Sequence, residues 1–270
     1  MRPAPFTLER PGTVTEVMLA LAQGGPAARV LAGGQSLVPQ LTRRELAVDR
    51  LIDLGGVAEL RSVCEQEQSL GLGAMVTVAT LEDDPRVARR WPLLSECARH
   101  VGHRPIRARS TVGGALAFAD PPAEVPLALA VLGAEVEIAG PNGTVRVAAG
   151  SRPAAPGELI TAVIIPAPAS GGWGFHEVSR RFNDRALAAA AALLIADSEG
   201  TATLRVGIAT ATSPPRVAEL PAWGADDDIE IDIDGVDRLD STGDELTRRA
   251  LRESVGRAIR SARERARLDA

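Results

Sequence analysis

The chain has 270 residues, 45% of them hydrophobic, enough to bury substantial cores in one large domain or two smaller ones. A net charge of −5, three per cent aromatic content and no tyrosine leave neither a basic face nor interleaved aromatics, which argues against a nucleic-acid or anionic-membrane partner. The opening MRPAPFTLERPG has no apolar core of signal-peptide length, and no uncharged apolar run of about 18 residues follows, so the cytoplasm is the expected compartment and no membrane span is expected.

Thr13 and Glu16 have capping-box spacing, and Val14, Val17, Met18 and Leu21 recur at helical intervals until Gly24-Gly25, which predicts a helix. Ala28 to Ala32 reads as a short buried strand and Leu51 to Leu54 as another, a β-α-β-like unit with a glycine turn at its strand exit. LGLGAMVTV, from Leu70, is strand-like, and WPLLSECARHVG has helical spacing that ends at Gly102. A second glycine turn and a short helix near Ala123 to Leu132 follow. Glu135 to Ala139 and Thr144 to Val147 then form a hairpin through Pro141-Asn142-Gly143, where Asn-Gly suits a turn requiring positive φ.

ELITAVIIP adds a strand before the Pro/Gly/Ser-rich loop Pro166 to Gly174, the expected domain boundary. Two further strand-like runs span Ala186 to Ala196 and Thr203 to Thr210. DDDIEIDIDGVD alternates Ile229, Ile231 and Ile233 with acids, as an edge strand with a solvated outer face does. The chain closes on an amphipathic helix from about Glu245 to Leu268, with Leu246, Ala250, Val255 and Ile259 on its apolar side.

Two places concentrate the chemistry. Gly33-Gly34 is followed by Ser36, and Gly113-Gly114 is preceded by Thr111, so each turn offers backbone amides beside a hydroxyl. Glycine lets a ligand approach where a Cβ would obstruct it, and successive free amides make a nest for an anion such as a pyrophosphate. Taken singly, a Gly-Gly pair at a strand exit is more often a tight connection than a ligand site. Neither turn reads G-x-G-x-x-G, and neither carries the lysine of a P-loop. Cys64 and Cys97, far apart and without companion thiols or histidines, read as two ordinary buried thiols and cannot assemble a metal site. His100, His103 and His176 have no serine or cysteine partner at a recognisable spacing, so no catalytic residue is assigned.

LAGGQSLVPQL, at Leu31 to Leu41, together with TVGGALAFADPPAEVP, at Thr111 to Pro126, resembles the FAD-binding medium subunit of molybdenum hydroxylases, the xanthine dehydrogenase and aerobic carbon monoxide dehydrogenase family. The resemblance extends through PAPFTLERP, GAMVT, RPIRARSTVGG, GELITAVIIP and RRFNDRALAAAAALL, nearly the whole chain. It implies an α+β fold: an FAD-binding domain of the vanillyl-alcohol oxidase/MurB type over residues 1–168, with subdomains about 1–54 and 55–168, then a smaller α+β domain over 174–270, an antiparallel sheet plus helices. It implies noncovalent FAD, Gln35 standing where some covalent flavoproteins of the wider fold carry histidine. Molybdopterin and iron–sulfur clusters are implied only in partner subunits, a large and a small one, assembled as a dimer of heterotrimers that passes electrons to NAD, a quinone or oxygen. A stand-alone FAD oxidoreductase and a flavin-free scaffold subunit are the other readings.

Carried over by position, the resemblance implies that Val30, Leu31, Ala32, Gly33, Gly34, Gln35, Ser36 and Leu37 run along the pyrophosphate and ribose, and that Thr111, Val112, Gly113, Gly114 and Ala115 form a second clasp. Asp120 matches an acid near the ribityl or ribose hydroxyls, and Leu159 an apolar residue beside the ring system. Asp120, just before Pro121-Pro122, could equally cap the next helix. The sequence departs from the family at Ser110, where glycine is usual, at Ala115, where many relatives have asparagine, and at Arg185, where an aromatic residue is common. Arg185 reads either as a group lying against the flavin or as a surface ion pair with Asp184 or Glu177. Valine at Gly33 or Gly114 is expected to abolish FAD retention with the fold largely intact.

Overall fold

The computed structural model describes residues 2–152, 154–167, 171–181, 183–196, 202–221 and 244–268. The N-terminal unit is a three-stranded parallel sheet of β1 (Thr7–Glu9), β2 (Ala28–Leu31) and β3 (Arg50–Asp53), ordered β1-β3-β2. Helix α1 (Val14–Gly24) starts where expected: Thr13 Oγ1 accepts the Glu16 amide at 3.2 Å, while the Glu16 carboxylate reaches back to the Gly12 amide at 2.7 Å. Val17, Ala20 and Leu21 turn inward onto Ile52 and Leu54. Strand β1 and the short helix α2 (Leu37–Arg43), which joins β2 to β3, were not expected. Pro39 lies in the first turn of α2, where its missing N–H is harmless, yet it reads in sequence as a breaker.

A five-stranded antiparallel sheet follows, ordered β4-β5-β8-β6-β7, from β4 (Val63–Glu65), β5 (Ser69–Gly73), β6 (Glu135–Gly140), β7 (Gly143–Ala148) and β8 (Leu159–Pro166). The strand-like run from Leu70 ends at Gly73, because Thr77 Oγ1 accepts the Thr80 amide at 3.2 Å and starts α3 (Val78–Asp83). In the β6–β7 hairpin the residue with positive φ is Gly143, at 111°. Helices α4 (Pro85–Arg90), α5 (Pro92–His100), α6 (Arg104–Arg107), α7 (Val112–Phe118) and α8 (Glu124–Val131) occupy the long excursion between β5 and β6.

The third sheet is antiparallel, ordered β12-β11-β10-β9, from β9 (Trp173–Ser179), β10 (Ala186–Ala196), β11 (Ala202–Thr210) and β12 (Arg216–Pro221). Alternation along β10 sends Ala189, Ala191 and Leu193 into the core of α5, α8 and the five-stranded sheet, while Ala188, Ala190 and Ala192 meet the C-terminal helix Glu245–Leu268. Backbone approaches backbone here: a Cβ on Gly174 would collide with the Ala258 carbonyl.

Some expectations need correcting. The buried stripe of the C-terminal helix includes Ala250, Val255 and Ile259, but Leu246, the second residue of that helix, is 61% exposed. Cys97 is buried, as expected, whereas Cys64 on the edge strand β4 is exposed. Strands β4, β9 and β12 went unread because each is short or polar. The acidic run 226–237 lies outside the described residues, as do 168–170 of the expected boundary loop.

Candidate functional site

The two glycine turns meet at one place. Residues 32–36 leave the end of the edge strand β2, and residues 109–115 lead into α7, whose first turn rests on the loop after β5. Gly33 lies so close to the backbone of Arg109 that a Cβ would overlap the Arg109 carbonyl, and a Cβ on Gly114 would sit 3.6 Å from that of Ala32. The glycines therefore allow the turns to touch each other, besides opening space for a ligand.

Their amides differ. In the second turn Val112 donates to Val76 O and Gly113 to Ala74 O, both at 2.9 Å, while Gly114 donates to its own helix cap, Thr111 Oγ1, at 3.1 Å. In the first turn the amides of Gly33, Gly34, Gln35 and Ser36 donate to no group among the described residues. Gly34 has φ +76°, its carbonyl takes the Val38 amide at 3.1 Å, and Gln35 Nε2 donates to Gly33 O at 3.2 Å. Four consecutive unpaired amides are an anion nest already folded into shape. The expectation of free amides from both turns thus holds at the first alone; the second supplies shape.

A cleft of about 720 Å³ runs past these turns. It is lined by Val30, Ala32, Gly33, Gly34, Gln35, Ser36, Leu37, Thr111, Gly113, Gly114, Ala115, Asp120, Leu159 and Arg185. Leu31 and Val112 do not line it: Leu31 ends β2 in register with Asp53, and Val112 is wholly buried. Leu159 is 3% exposed and belongs to the core of the N-terminal sheet, so it forms a solid apolar wall.

Behind another part of the cleft wall Ala119, with φ 53°, ends α7 in the left-handed conformation and sets the course of the chain into Asp120, which lines the cleft. Asp120 does not cap α8; that cap residue is Ala123, without a side-chain bond. The Asp120 carboxylate instead holds Arg185, Nη2 to Oδ1 at 2.7 Å and Nε to Oδ2 at 3.2 Å, and Arg185 also donates to Ala211 O at 3.1 Å. Arg185 therefore has an ion-pair partner, but neither Asp184 nor Glu177. The carboxylate raises the guanidinium's proton affinity further. Asn183, also on the cleft with φ 64°, has an Oδ1 sealed from solvent with no partner among the described residues.

Sequence reasoning missed two glutamates. Glu124 opens α8 on the cleft wall and is 8% exposed; burial pushes its carboxyl up to about 7. Glu177 on β9 is pushed up to about 8, by burial first and then by the charge of Glu124. The cue available in sequence was AEVPLALAV, a lone acid heading an otherwise apolar helix. His176 does meet a serine, its Nδ1 lying 3.3 Å from Ser254 Oγ, but Ser254 sits on the fully buried face of the C-terminal helix, away from the cleft, a packing contact. Among the described residues no three His, Cys, Asp or Glu side chains cluster to hold a metal, and no helix is long and apolar enough to cross a membrane.

Residues 4–168 match the family model described as the FAD binding domain in molybdopterin dehydrogenase. The carbon monoxide dehydrogenase medium chain of Afipia carboxidovorans is 33% identical over 227 residues, covering 81% of this chain and 79% of the relative. The 6-hydroxypseudooxynicotine dehydrogenase complex subunit alpha of Paenarthrobacter nicotinovorans is 35% identical over 208 residues, 74% of this chain and 70% of the relative. Among solved structures, reconstituted CO dehydrogenase from Oligotropha carboxidovorans superposes with a TM-score of 0.89 at 28% identity, covering 98% of this chain and 100% of the other.

Proposed function

The chain belongs to the family of FAD-binding medium subunits of molybdenum hydroxylases, and from that premise we propose that it is the electron junction of a heteromeric oxidoreductase. It stands between an iron–sulfur small subunit and an external acceptor such as NAD, a quinone or oxygen, while a molybdopterin large subunit carries out the substrate chemistry. A dimer of heterotrimers is the assembly in this reading, and the cytoplasm its compartment. FAD, when bound, supplies the ability to take electrons singly and give them up as a pair.

The carrying observation is the set of four unpaired amides at 33–36 on the cleft wall. They fit a pyrophosphate, whose charge they meet without a lysine or a metal. Arg109, Ser110 and Gly114 pack against the first turn, and Leu159 gives an apolar backing to a ring system. Arg185 and Asp120 neutralise each other, so this wall offers hydrogen-bonding groups with little net charge.

Fluorescence titration of the purified chain tests the reading. FAD is expected to bind far more tightly than riboflavin, with ADP-ribose competing, because the nest recognises the pyrophosphate. Equal affinity for FAD and riboflavin would remove the turn from the site.

A further inference from the structure

The edge strand β2 divides the cleft. Its side chains alternate: Ala28 and Val30 turn into the core that holds Leu159, whereas Arg29 is in register with Leu51, which packs with Leu37 and Leu46 against α2. Gln40 follows Leu37 by one turn of that helix. Arg29, Leu37, Gln40 and Leu46 all line the cleft, so the α2 side of β2 forms a compartment of it on the face of the sheet opposite Leu159. The amide nest at 33–36 stands at the end of the strand that separates the two compartments.

The polar groups of the α2 compartment are not engaged by other side chains. Arg29 is half-buried, and its Nη1 donates to Pro26 O at 2.6 Å and to Ala28 O at 2.8 Å, which holds the guanidinium in place and leaves Nε and Nη2 unbonded. Arg185, the other arginine on the cleft, is held by Asp120, and Glu158 is held by Arg152; Arg29 has no carboxylate partner among the described residues. The Gln40 carboxamide likewise bonds no other group among the described residues. A planar cation, a carboxamide with a donor beside an acceptor, and two leucines complement an aminopurine. A guanidinium lies against a ring face, a carboxamide pairs with the N6 amine and N7 of adenine, and the leucines cover the apolar remainder.

We propose that this compartment is an adenine subsite, with Arg29 and Gln40 as its specificity-determining residues. The proposal rests on the FAD reading: with the pyrophosphate on the nest and the flavin ring against Leu159, the adenosine half passes round the end of β2 to the α2 side. These two residues thereby select the dinucleotide over FMN, which has no adenosine to place there.

Binding to the flavin-free chain tests it, with ADP, IDP and riboflavin as probes; IDP carries an oxygen where adenine carries its N6 amine. The wild-type chain is expected to bind ADP roughly ten-fold more tightly than IDP. Q40L is expected to lose that preference and R29L to weaken both nucleotides, while riboflavin binds all three proteins alike. The comparison of ADP with IDP needs no variant, so it decides the matter where a variant fails the circular-dichroism check of its fold. Equal affinity of the wild-type chain for ADP and IDP, a preference that survives Q40L, or nucleotide binding unchanged in R29L overturns the subsite and leaves the FAD reading standing. Loss of riboflavin affinity in both variants places the flavin beside Arg29 and overturns the subsite too. A chain that takes up neither FAD nor ADP overturns the FAD reading together with the subsite.

Discussion

Arg185 and Asp120, 65 residues apart in the chain, close a two-point ion pair at the cleft wall and join the loop after α7 to the start of β10. The pair is half exposed on the arginine side, 51% against 34%, so its contribution to stability is small, about 0.5 kcal/mol. Its electrostatic effect on a bound flavin is expected to be larger. R185L leaves an uncompensated carboxylate and is expected to lower the FAD potential; D120N leaves an uncompensated guanidinium and is expected to raise it. Charges at such range are worth roughly 1–3 kcal/mol, and 1.4 kcal/mol is about 30 mV for two electrons, so each shift is about 20–60 mV. The double variant is expected near the wild-type value. Dye-equilibrated titration of all four proteins checks this, and four equal potentials would place the pair outside the flavin's reach.

The two glycine turns should respond differently to a methyl group. Alanine at Gly33 forces the turn away from the Arg109 carbonyl and is expected to cost roughly 1–3 kcal/mol along with FAD retention. Alanine at Gly114 presses on the Thr111 hydroxyl from 2.8 Å and weakens one helix cap, a loss of about 1 kcal/mol. Valine at Gly33 therefore does not spare the fold, contrary to the expectation from sequence. Urea denaturation and the flavin-to-protein absorbance ratio separate the two effects; equal losses at both positions would contradict the contact between the turns.

Stability is expected to fall as pH rises through neutrality. Unfolded, both glutamates ionise near pH 4.3, whereas folded they keep protons to about 7 and about 8. The folded chain therefore binds more protons in that window, and the stabilisation present below about pH 4.3 is lost as pH rises through 7 to 8. E177Q removes most of this slope. It is expected to match wild type in acid and to exceed it by roughly 1–3 kcal/mol in mild alkali. Thermal unfolding across the window measures it, and parallel curves for the two proteins would contradict the assignment.

What could be read from sequence was local. The Thr13 cap, the period of α1 and the Gly143 turn depend on residues within a few positions of each other, and the two glycine turns announce themselves by composition. What could not be read depends on distance. Asp120 meets Arg185 only because the third sheet comes to the cleft, and Glu177 looks, along WGFHEVS, like any polar residue on an alternating strand. Nothing in GGQS or VGGA tells which turn keeps its amides free. That is decided by Ala74 and Val76, some forty residues upstream of the second turn. Helix α2 escaped for a local reason, its Pro39 falling in the one helical turn that tolerates it.

Docking of the C-terminal helix should be separable from the cleft. Alanine at Gly174 puts a Cβ against the Ala258 carbonyl and is expected to lower stability by roughly 1–3 kcal/mol, with the flavin ratio unchanged because Gly174 does not line the cleft. Loss of flavin at full occupancy of the folded state would show that the helix also supports the site.

Over the five alanines Ala188 to Ala192 the two faces of β10 carry only methyl groups, one toward α8 and one toward the C-terminal helix. An alanine has no rotamers to lose, so ordering these five residues freezes backbone alone. Leucines or valines in the same places would bury more carbon but would also give up χ freedom at every step. This stretch of β10 is thus cheap to order and unforgiving in shape: no side chain in it can swing to another rotamer to absorb a bulge, and any enlargement must be met by moving a helix.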